Sequence, residues 1–154
     1  MHMRLFLPLL LLSSALFAYT VNDTLSEPIQ KKLQLDPQKI TIVDFFASWC
    51  DSCKKEIPHI SAINKTLDTG KYEILGIDVD KKLQDGIAFQ EALKAKGDLN
   101  FRVINDPENT IVKAFNPIGM PALYYIKDHK VLKVLYGAID NIDNVILRDL
   151  KALE

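Results

Sequence analysis

The sequence predicts an α/β fold with a mixed central sheet flanked by helices. Apolar runs of strand length, rich in β-branched residues, alternate with segments whose apolar residues recur at helical spacing. This alternation is typical of parallel strands joined by helical crossovers. Near the C-terminus, two further apolar runs flank a polar tetrad, which predicts an antiparallel hairpin added to the sheet. A length of 154 residues suffices for one domain with its own core.

The predicted order of elements is β-α-β-α-β-α-β-β-α. The strands are expected in KITIVDFFA, YEILGIDV, NFRVI, PALYYI and KVLKVLYG, the last two forming the hairpin around 127–130. The helices are expected in CDSCKKEIPHISAINKTL, LQDGIAFQEALKAKG, NDPENTIVKAF and NIDNVILRDLKALE. Gly97 is expected to end the second helix, and Asp106 to cap the third with Pro107 at its first helical position.

The N-terminal segment predicts export. Residues 1–18 have one positive charge at Arg4, an apolar run, and then small residues, which is the order of a secretory signal peptide. The apolar stretch from Leu5 to Ala18 is 14 residues, shorter than the roughly 20 of a spanning helix. An uncleaved anchor is the alternative. Residues 19–39 are interpreted as a polar connector, and residues 40–154 as the main domain.

The charges give no indication of a nucleic-acid-binding surface. The formal net charge is −1, and acidic and basic residues are mixed along the chain. An exported chain works where cysteine pairs can be oxidised, so the cysteines become the first candidates for function.

Cys50 and Cys53 are the only cysteines in the chain, and their spacing leaves three interpretations open. As a staple, they would close a four-residue loop worth roughly 2 kcal/mol, against about 3 for 15 residues. As a zinc site, they supply half of the usual four ligands, with only His59 and His129 to add after the signal. As a redox centre, Cys50 would lie at a helix N-terminus, where the helix dipole stabilises a thiolate.

The segment VDFFASWCDSCKKEIP resembles the active site of the thioredoxin superfamily: an apolar strand, Trp49, the Cys50–Cys53 pair, then a lysine and Pro58. NPIGMPALYYI resembles the loop whose cis-proline faces the cysteines, with Pro121 in that place. The resemblance covers about residues 40–153 and implies a thioredoxin-like fold. CKKEIP and an extra segment of about 25 residues before the proline loop narrow it to the secreted TlpA-like thiol–disulfide oxidoreductases, which include cytochrome c maturation proteins.

Two departures from that family concern redox poise and specificity. Asp51-Ser52 separates the cysteines, and an acidic residue there is expected to raise the thiol pKa slightly. Ala122 follows Pro121, where the family more often has a polar residue.

Two carboxylates are candidates for proton transfer. Asp44 interrupts an apolar strand, and a buried carboxylate costs several kcal/mol unless it is paired or neutralised. Beneath the cysteines it would exchange protons with Cys53; the alternative is a solvent-accessible strand edge. Glu56 lies one helical turn after Cys53 and matches a glutamate with which the family tunes its thiols; the alternative is an ordinary surface glutamate.

Three residues are candidates for contact with the partner. Trp49 is interpreted as an apolar lid beside Cys50, with a core-edge residue as the alternative. The backbone of Met120 is expected to pair with an extended partner strand, because Pro121 cannot donate a hydrogen bond. Simple packing against the disulfide is the alternative for Met120.

The sequence thus predicts an extracytoplasmic thiol–disulfide oxidoreductase that reduces protein disulfides through Cys50 and Cys53. Implied partners are secreted proteins such as apo-cytochrome c and a membrane-linked reductant, without a small cofactor. The rivals are a dithiol oxidase of the same fold, since direction depends on reduction potential, a copper carrier using both thiolates, and a binding module with an inert disulfide.

Overall fold

The computed structural model describes residues 18–154, in which five strands form one sheet with helices on both faces. The strands are β1 (Ile40–Phe46), β2 (Tyr72–Asp78), β3 (Arg102–Asn105), β4 (Ala122–Lys127) and β5 (Lys130–Tyr136). The helices are α1 (Glu27–Leu33), α2 (Asp51–Asn64), α3 (Leu83–Lys96), α4 (Thr110–Phe115) and α5 (Ile142–Leu153). The predicted signal peptide lies outside the described residues, apart from Ala18. No helix within 18–154 is both long enough and apolar enough to cross a membrane.

The sheet is mixed, as predicted. Its strand order is β3-β2-β1-β4-β5. β1, β2 and β3 run parallel, whereas β4 is antiparallel to both β1 and β5. The β4–β5 hairpin turns at Asp128 and His129, both of which have positive φ, as a tight hairpin turn requires. The predicted α/β class and the hairpin are therefore confirmed.

The central strand β1 separates two apolar cores, and all seven of its residues are buried. Ile42 and Phe46 face the core that also holds the buried sides of α2 and α5. Val43 and Phe45 face the opposite core, which contains residues of α1 and α4. Because side chains alternate along a strand, Asp44 lies on the face of Ile42 and Phe46, toward α2.

The segment 19–39 differs from the expected polar connector, because it contains α1. Leu25, Ile29 and Leu33 are buried in the second core. The Leu25 N–H also donates to the carbonyl of His129 at 2.8 Å, which ties the segment to the hairpin. Ile29 and Leu33 lie four positions apart on one face of α1, and Leu25 precedes the helix, so the segment buries an apolar side while most of its other residues stay polar.

The start of α4 also differs from the expectation. Pro107 lies in the turn before the helix, which begins at Thr110 rather than at the proline. Asp106 does cap the helix: its carboxylate accepts the N–H groups of Thr110, Ile111 and Val112 at 2.8, 2.9 and 2.9 Å. Asp106 therefore satisfies the first N–H groups of α4 from three residues before the N-cap residue, Asn109, whereas Gly97 ends α3 in the left-handed conformation as predicted.

Candidate active site

Cys50 and Cys53 form a disulfide at the junction of β1 and α2, with their Cα atoms 5.3 Å apart. Cys50 is 8% exposed, whereas Cys53 is fully buried. A partner thiol or disulfide therefore reaches Cys50 first. This asymmetry fits the predicted roles of Cys50 as nucleophile and Cys53 as the residue that resolves the mixed disulfide.

The sulfur of Cys50 caps the N-terminus of α2. Cys50 has extended backbone angles, and the Cys53 N–H donates to its Sγ at 3.2 Å. Free N–H groups and the positive end of the helix dipole stabilise an anion at this position. Reduction would therefore place the Cys50 thiolate where backbone donors and the helix dipole stabilise its negative charge. Asp51 beside it is exposed and forms an ion pair with Lys54 at 3.1 Å.

The Met120–Pro121 peptide bond is cis, as the resemblance implied. β4 begins directly after it, and Ala122 pairs with Phe45 on β1, which brings the proline loop to the strand that leads into the cysteines. Met120 packs against both cores. The proline loop thus lies at the same end of the central strands as the disulfide.

A groove of about 550 Å³ opens beside this loop, with Trp49 and Met120 among its lining residues. Trp49 is 64% exposed, so the core-edge interpretation of this residue is wrong. An exposed aromatic side chain beside a reactive disulfide offers apolar contact area to a partner.

Asp44 is buried in the middle of the sheet, at 1% exposure. In the parallel and antiparallel pairing its neighbours are Gly76 and Leu123, neither of which offers a polar side chain. Its Oδ1 has no hydrogen-bond partner among the described residues. Burial raises the pKa of Asp44 to about 7. The interpretation as a solvent-accessible edge residue is therefore wrong.

Glu56 faces the interior from α2 and is 6% exposed. Its Oε1 likewise lacks a partner within the described part of the chain. Burial, and then the negative charge of Asp44, raise the pKa of Glu56 to about 8. The side chain lines a groove of about 660 Å³ between α2 and residues 138–143. An ordinary surface glutamate is thus excluded, and the two candidate carboxylates share one electrostatic environment.

Asp149 on α5 is a third buried acid, and it acts on Tyr125, whose pKa also responds to Glu56. Tyr125 on β4 is paired with Lys133 on β5, so their side chains share a face of the sheet. The Lys133 Nζ lies 2.7 Å from Asp149 Oδ1, which places Asp149 over this pair. Burial, the Asp149 carboxylate and, more weakly, Glu56 raise the pKa of Tyr125. Sequence reasoning missed both Tyr125 and Asp149, because each occurs in a pattern that otherwise predicts an ordinary strand or helix.

A second acidic cluster lies at the end of β2, beside the residues that precede Cys50. Asp78 and Asp80 are buried, at 1% and 6% exposure. Unlike Asp44, both accept hydrogen bonds, from Ser48, Gln90 and the Asp80 N–H. Sequence reasoning missed this cluster too, although two aspartates directly after an apolar strand were an available signal.

The described residues contain no group of three or more histidine, cysteine or acidic side chains that could hold a metal ion. His59 lines the groove beside Glu56 rather than approaching the disulfide as part of such a group. The reactive groups that the structure brings to this end of the sheet are the two sulfurs and the buried carboxylates.

Comparison with known proteins identifies relatives that are named thiol-disulfide oxidoreductases. The chain is 27% identical over 121 residues to the thiol-disulfide oxidoreductase ResA of Bacillus subtilis, covering 77% of this chain and 65% of the relative. It is 30% identical over 110 residues to ResA of Bacillus thuringiensis, covering 70% and 61%. The chain thus spans less than two thirds of the length of these relatives.

The crystal structure of a thiol-disulfide isomerase from Corynebacterium glutamicum has the same fold, with a TM-score of 0.65 at 18% identity over 92% of this chain and 96% of that one. The model of the AhpC/TSA family matches residues 15–135, which include both cysteines, Asp44, Glu56 and the cis-proline. The chain belongs to the AhpC/TSA family of thioredoxin-like proteins.

Proposed function

We propose that this protein is a thiol–disulfide oxidoreductase that works outside the cytoplasm and reduces disulfides in other proteins. The observation that carries the proposal is the asymmetric pair of cysteines at a helix N-terminus, together with two buried carboxyl groups that each have an oxygen without a partner in the described residues. Relatives bearing the name thiol-disulfide oxidoreductase support it. The signal-like N-terminus supports the location.

The reaction proceeds in two exchanges. The Cys50 thiolate attacks one sulfur of the partner's disulfide, forms a mixed disulfide and releases the partner's other sulfur as a thiolate. Cys53 then loses its proton to Asp44 or Glu56 and attacks the Cys50 sulfur. The Cys50–Cys53 disulfide forms and the partner's second sulfur leaves as a thiolate. Two electrons pass to the partner, and no small cofactor takes part.

Partners fall into two classes. Oxidised secreted proteins accept the electrons, among them apo-cytochrome c with its own Cys-x-x-Cys pair. A membrane-linked dithiol must return two electrons to the Cys50–Cys53 disulfide before the next cycle. Trp49, Met120 and Pro121 would contact the first class, with the Met120 backbone pairing with an extended segment of the partner.

The first test is the reduction potential of the cysteine pair, measured by equilibration with defined thiol–disulfide buffers. A reductase is expected near the thioredoxin value of about −270 mV. A potential close to about −120 mV, as in strong disulfide donors, would reverse the direction and favour the dithiol oxidase.

The second test is trapping. Cys53→Ser should accumulate a mixed disulfide with an oxidised Cys-x-x-Cys-His peptide, because the resolving sulfur is gone, whereas Cys50→Ser should form none. Exchange that survives in Cys50→Ser would refute the assignment of the nucleophile. Tight stoichiometric copper binding by the reduced protein, without any exchange, would favour the copper carrier instead.

A further inference from the structure

The turn that carries the active site is tethered from outside its own strand and helix. Ser48 lies between the end of β1 and Cys50, and both of its polar groups bind one carboxylate. The Ser48 N–H donates to Asp80 Oδ2 at 2.7 Å, and its hydroxyl donates to Asp80 Oδ1 at 2.7 Å. Two short charge-assisted hydrogen bonds to Asp80 therefore hold both the backbone and the side chain of Ser48.

Asp80 is itself held by α3. Its N–H donates to Asp78 Oδ1 at 2.9 Å, and Asp78 Oδ2 accepts from Gln90 Nε2 at 2.8 Å. Gln90 also donates to Asn105 Oδ1 at 2.7 Å. At Gly86 a Cβ atom would stand 2.7 Å from Asp78 Oδ2, so the helix backbone lies directly against this carboxylate. Side chains from α3, β2 and β3 therefore fix the acceptor of the tether.

Trp49 is the next residue after Ser48 and lies in the same turn. Its side chain is 64% exposed, so core packing does not hold the ring. The backbone of the turn decides where the ring stands relative to Cys50 and to Met120 across the groove. A flexible turn would let the ring leave the groove, and a partner would then have to order it on binding.

We propose that Asp80 is a positioning residue that holds the Ser48–Trp49 turn, so that Trp49 and Cys50 meet a protein partner as one preformed surface. Gln90 on α3 holds Asp80 indirectly, because it donates to Asp78 on β2, and Asp78 in turn accepts the Asp80 N–H. The inference rests on the proposed exchange with protein disulfides, but not on its direction. Because preorganisation removes an ordering cost on binding, the effect falls on large partners and spares small disulfides or thiols.

The kinetic test compares Asp80→Asn and Ser48→Ala with a matched control, Glu91→Gln. Glu91 is an exposed acid next to Gln90 on α3, outside the hydrogen-bonded network. Insulin serves as the protein disulfide and dithiobis(nitrobenzoate) as the small one. Ordering one side chain costs about 0.5–1.5 kcal/mol, so both test variants should raise KM for insulin about 2- to 10-fold. Their kcat/KM for the small disulfide should stay within about twofold of the unsubstituted protein.

The spectroscopic test uses Trp49, which is the only tryptophan in the chain. Time-resolved fluorescence anisotropy of the oxidised protein should show a larger fast component in Asp80→Asn and Ser48→Ala, and no change in Glu91→Gln. Ser48→Ala retains the backbone bond to Asp80, so it provides a readout even where the aspartate variant folds poorly. This measurement needs no substrate, and it therefore decides the inference even where insulin reduction, and with it the proposed function, fails.

Three results would overturn the inference. The first is an anisotropy decay in both test variants that equals that of the unsubstituted protein. The second is a KM for insulin that matches that of Glu91→Gln. The third is an equal loss of rate with insulin and with dithiobis(nitrobenzoate), which would place the effect on the sulfurs rather than on docking.

Discussion

Two pairs of buried acids flank the active-site turn, and they differ in their hydrogen bonds. Asp44 and Glu56 lie on the side of the sheet that carries α2 and the cysteines, and each has a carboxyl oxygen without a partner in the described residues. Asp78 and Asp80 lie beside the turn and accept bonds from Ser48, Gln90 and a backbone N–H. Asp44 and Asp78 are equally buried, each at 1% exposure, so burial alone does not separate the two pairs.

The difference appears in their proton affinities. Burial raises the pKa of Asp44 to about 7, with nothing to oppose it. Burial raises the pKa of Asp78 to about 6; hydrogen bonds from the Asp80 N–H and from Gln90 lower it, and the neighbouring Asp80 carboxylate raises it. Hydrogen bonds to a carboxylate stabilise its charged form. Asp44 and Glu56 are therefore suited to transfer protons near neutral pH. Asp78 and Asp80, which accept hydrogen bonds, are suited to hold the active-site turn in position.

The largest expected effect is on stability at Asp44. A carboxyl with a raised folded pKa destabilises the fold above that pKa, and the penalty disappears as pH falls toward the unfolded value of 3.8. Asp44→Asn should therefore stabilise the oxidised protein by about 4 kcal/mol at pH 9 and by about 2 kcal/mol at pH 5. Urea unfolding at both pH values measures this.

Asp51→Asn is the control for that experiment, because Asp51 is exposed and should change stability by less than about 0.5 kcal/mol. A loss of stability in Asp44→Asn at pH 9 would contradict the comparison, since it would mean that the Asp44 carboxylate has a stabilising partner.

The next largest effect is expected on the rate at which Cys53 resolves the mixed disulfide. Asp44→Asn combined with Glu56→Gln should slow resolution of the mixed disulfide by about 100-fold at pH 7, the lower end for general acid–base catalysis. In the unsubstituted protein this step should accelerate as pH rises toward 8, because the base must first lose its proton. Stopped-flow single-turnover measurements across pH test both statements. An unchanged pH profile in the double variant would remove both carboxylates from the mechanism, and each single variant shows which carboxylate dominates.

Substitution of Asp80 should lower the free energy of unfolding, whereas Asp44→Asn should raise it. Asp80→Ala leaves the Ser48 N–H and hydroxyl without their acceptor, so it should cost about 1–3 kcal/mol in the free energy of unfolding. Asp80→Asn, which keeps one acceptor oxygen, should lose less. Urea unfolding near pH 8 places these variants beside Asp44→Asn. If Asp80→Ala also stabilised the fold, the two pairs would not differ in the way their hydrogen bonds indicate.

The smallest effect separates the two members of the unpartnered pair. Burial is the larger cause of the raised Glu56 pKa, and the Asp44 charge is the smaller. In Asp44→Asn the pKa of Glu56 should therefore fall from about 8, yet stay well above its ordinary value of 4.5. Carbon-13 NMR titration of the Glu56 carboxyl measures it. A pKa that does not move would show that the two groups titrate independently.

Much of the fold follows from periodicity within short windows. The apolar runs of β1 and β2 and the amphipathic pattern of α5 each predict their element, because burial of a strand or a helix face imposes its repeat on the sequence. The sequence pattern did not predict α1, because its apolar residues recur only every fourth position in an otherwise polar segment.

The site was predictable in part for the same reason. Cys50, Cys53 and Glu56 are neighbours along one helix, so their spacing alone brings them together. The tether between Ser48 and Asp80 joins residues 32 positions apart, and the ion pair between Lys133 and Asp149 joins β5 to α5. A pattern within a short stretch of sequence does not predict contacts between residues so far apart.

By itself, the sequence determined the α/β class, the cysteine pair at a helix N-terminus and the presence of a carboxylate in an apolar strand. Local backbone preferences and side-chain periodicity suffice for these. Only the tertiary structure decided that, within residues 18–154, Asp44 and Glu56 each have a buried oxygen without a partner, while the carboxylates of Asp78 and Asp80 accept hydrogen bonds. Proton affinity depends on burial and on donors from distant segments, and these come together only when strands and helices pack.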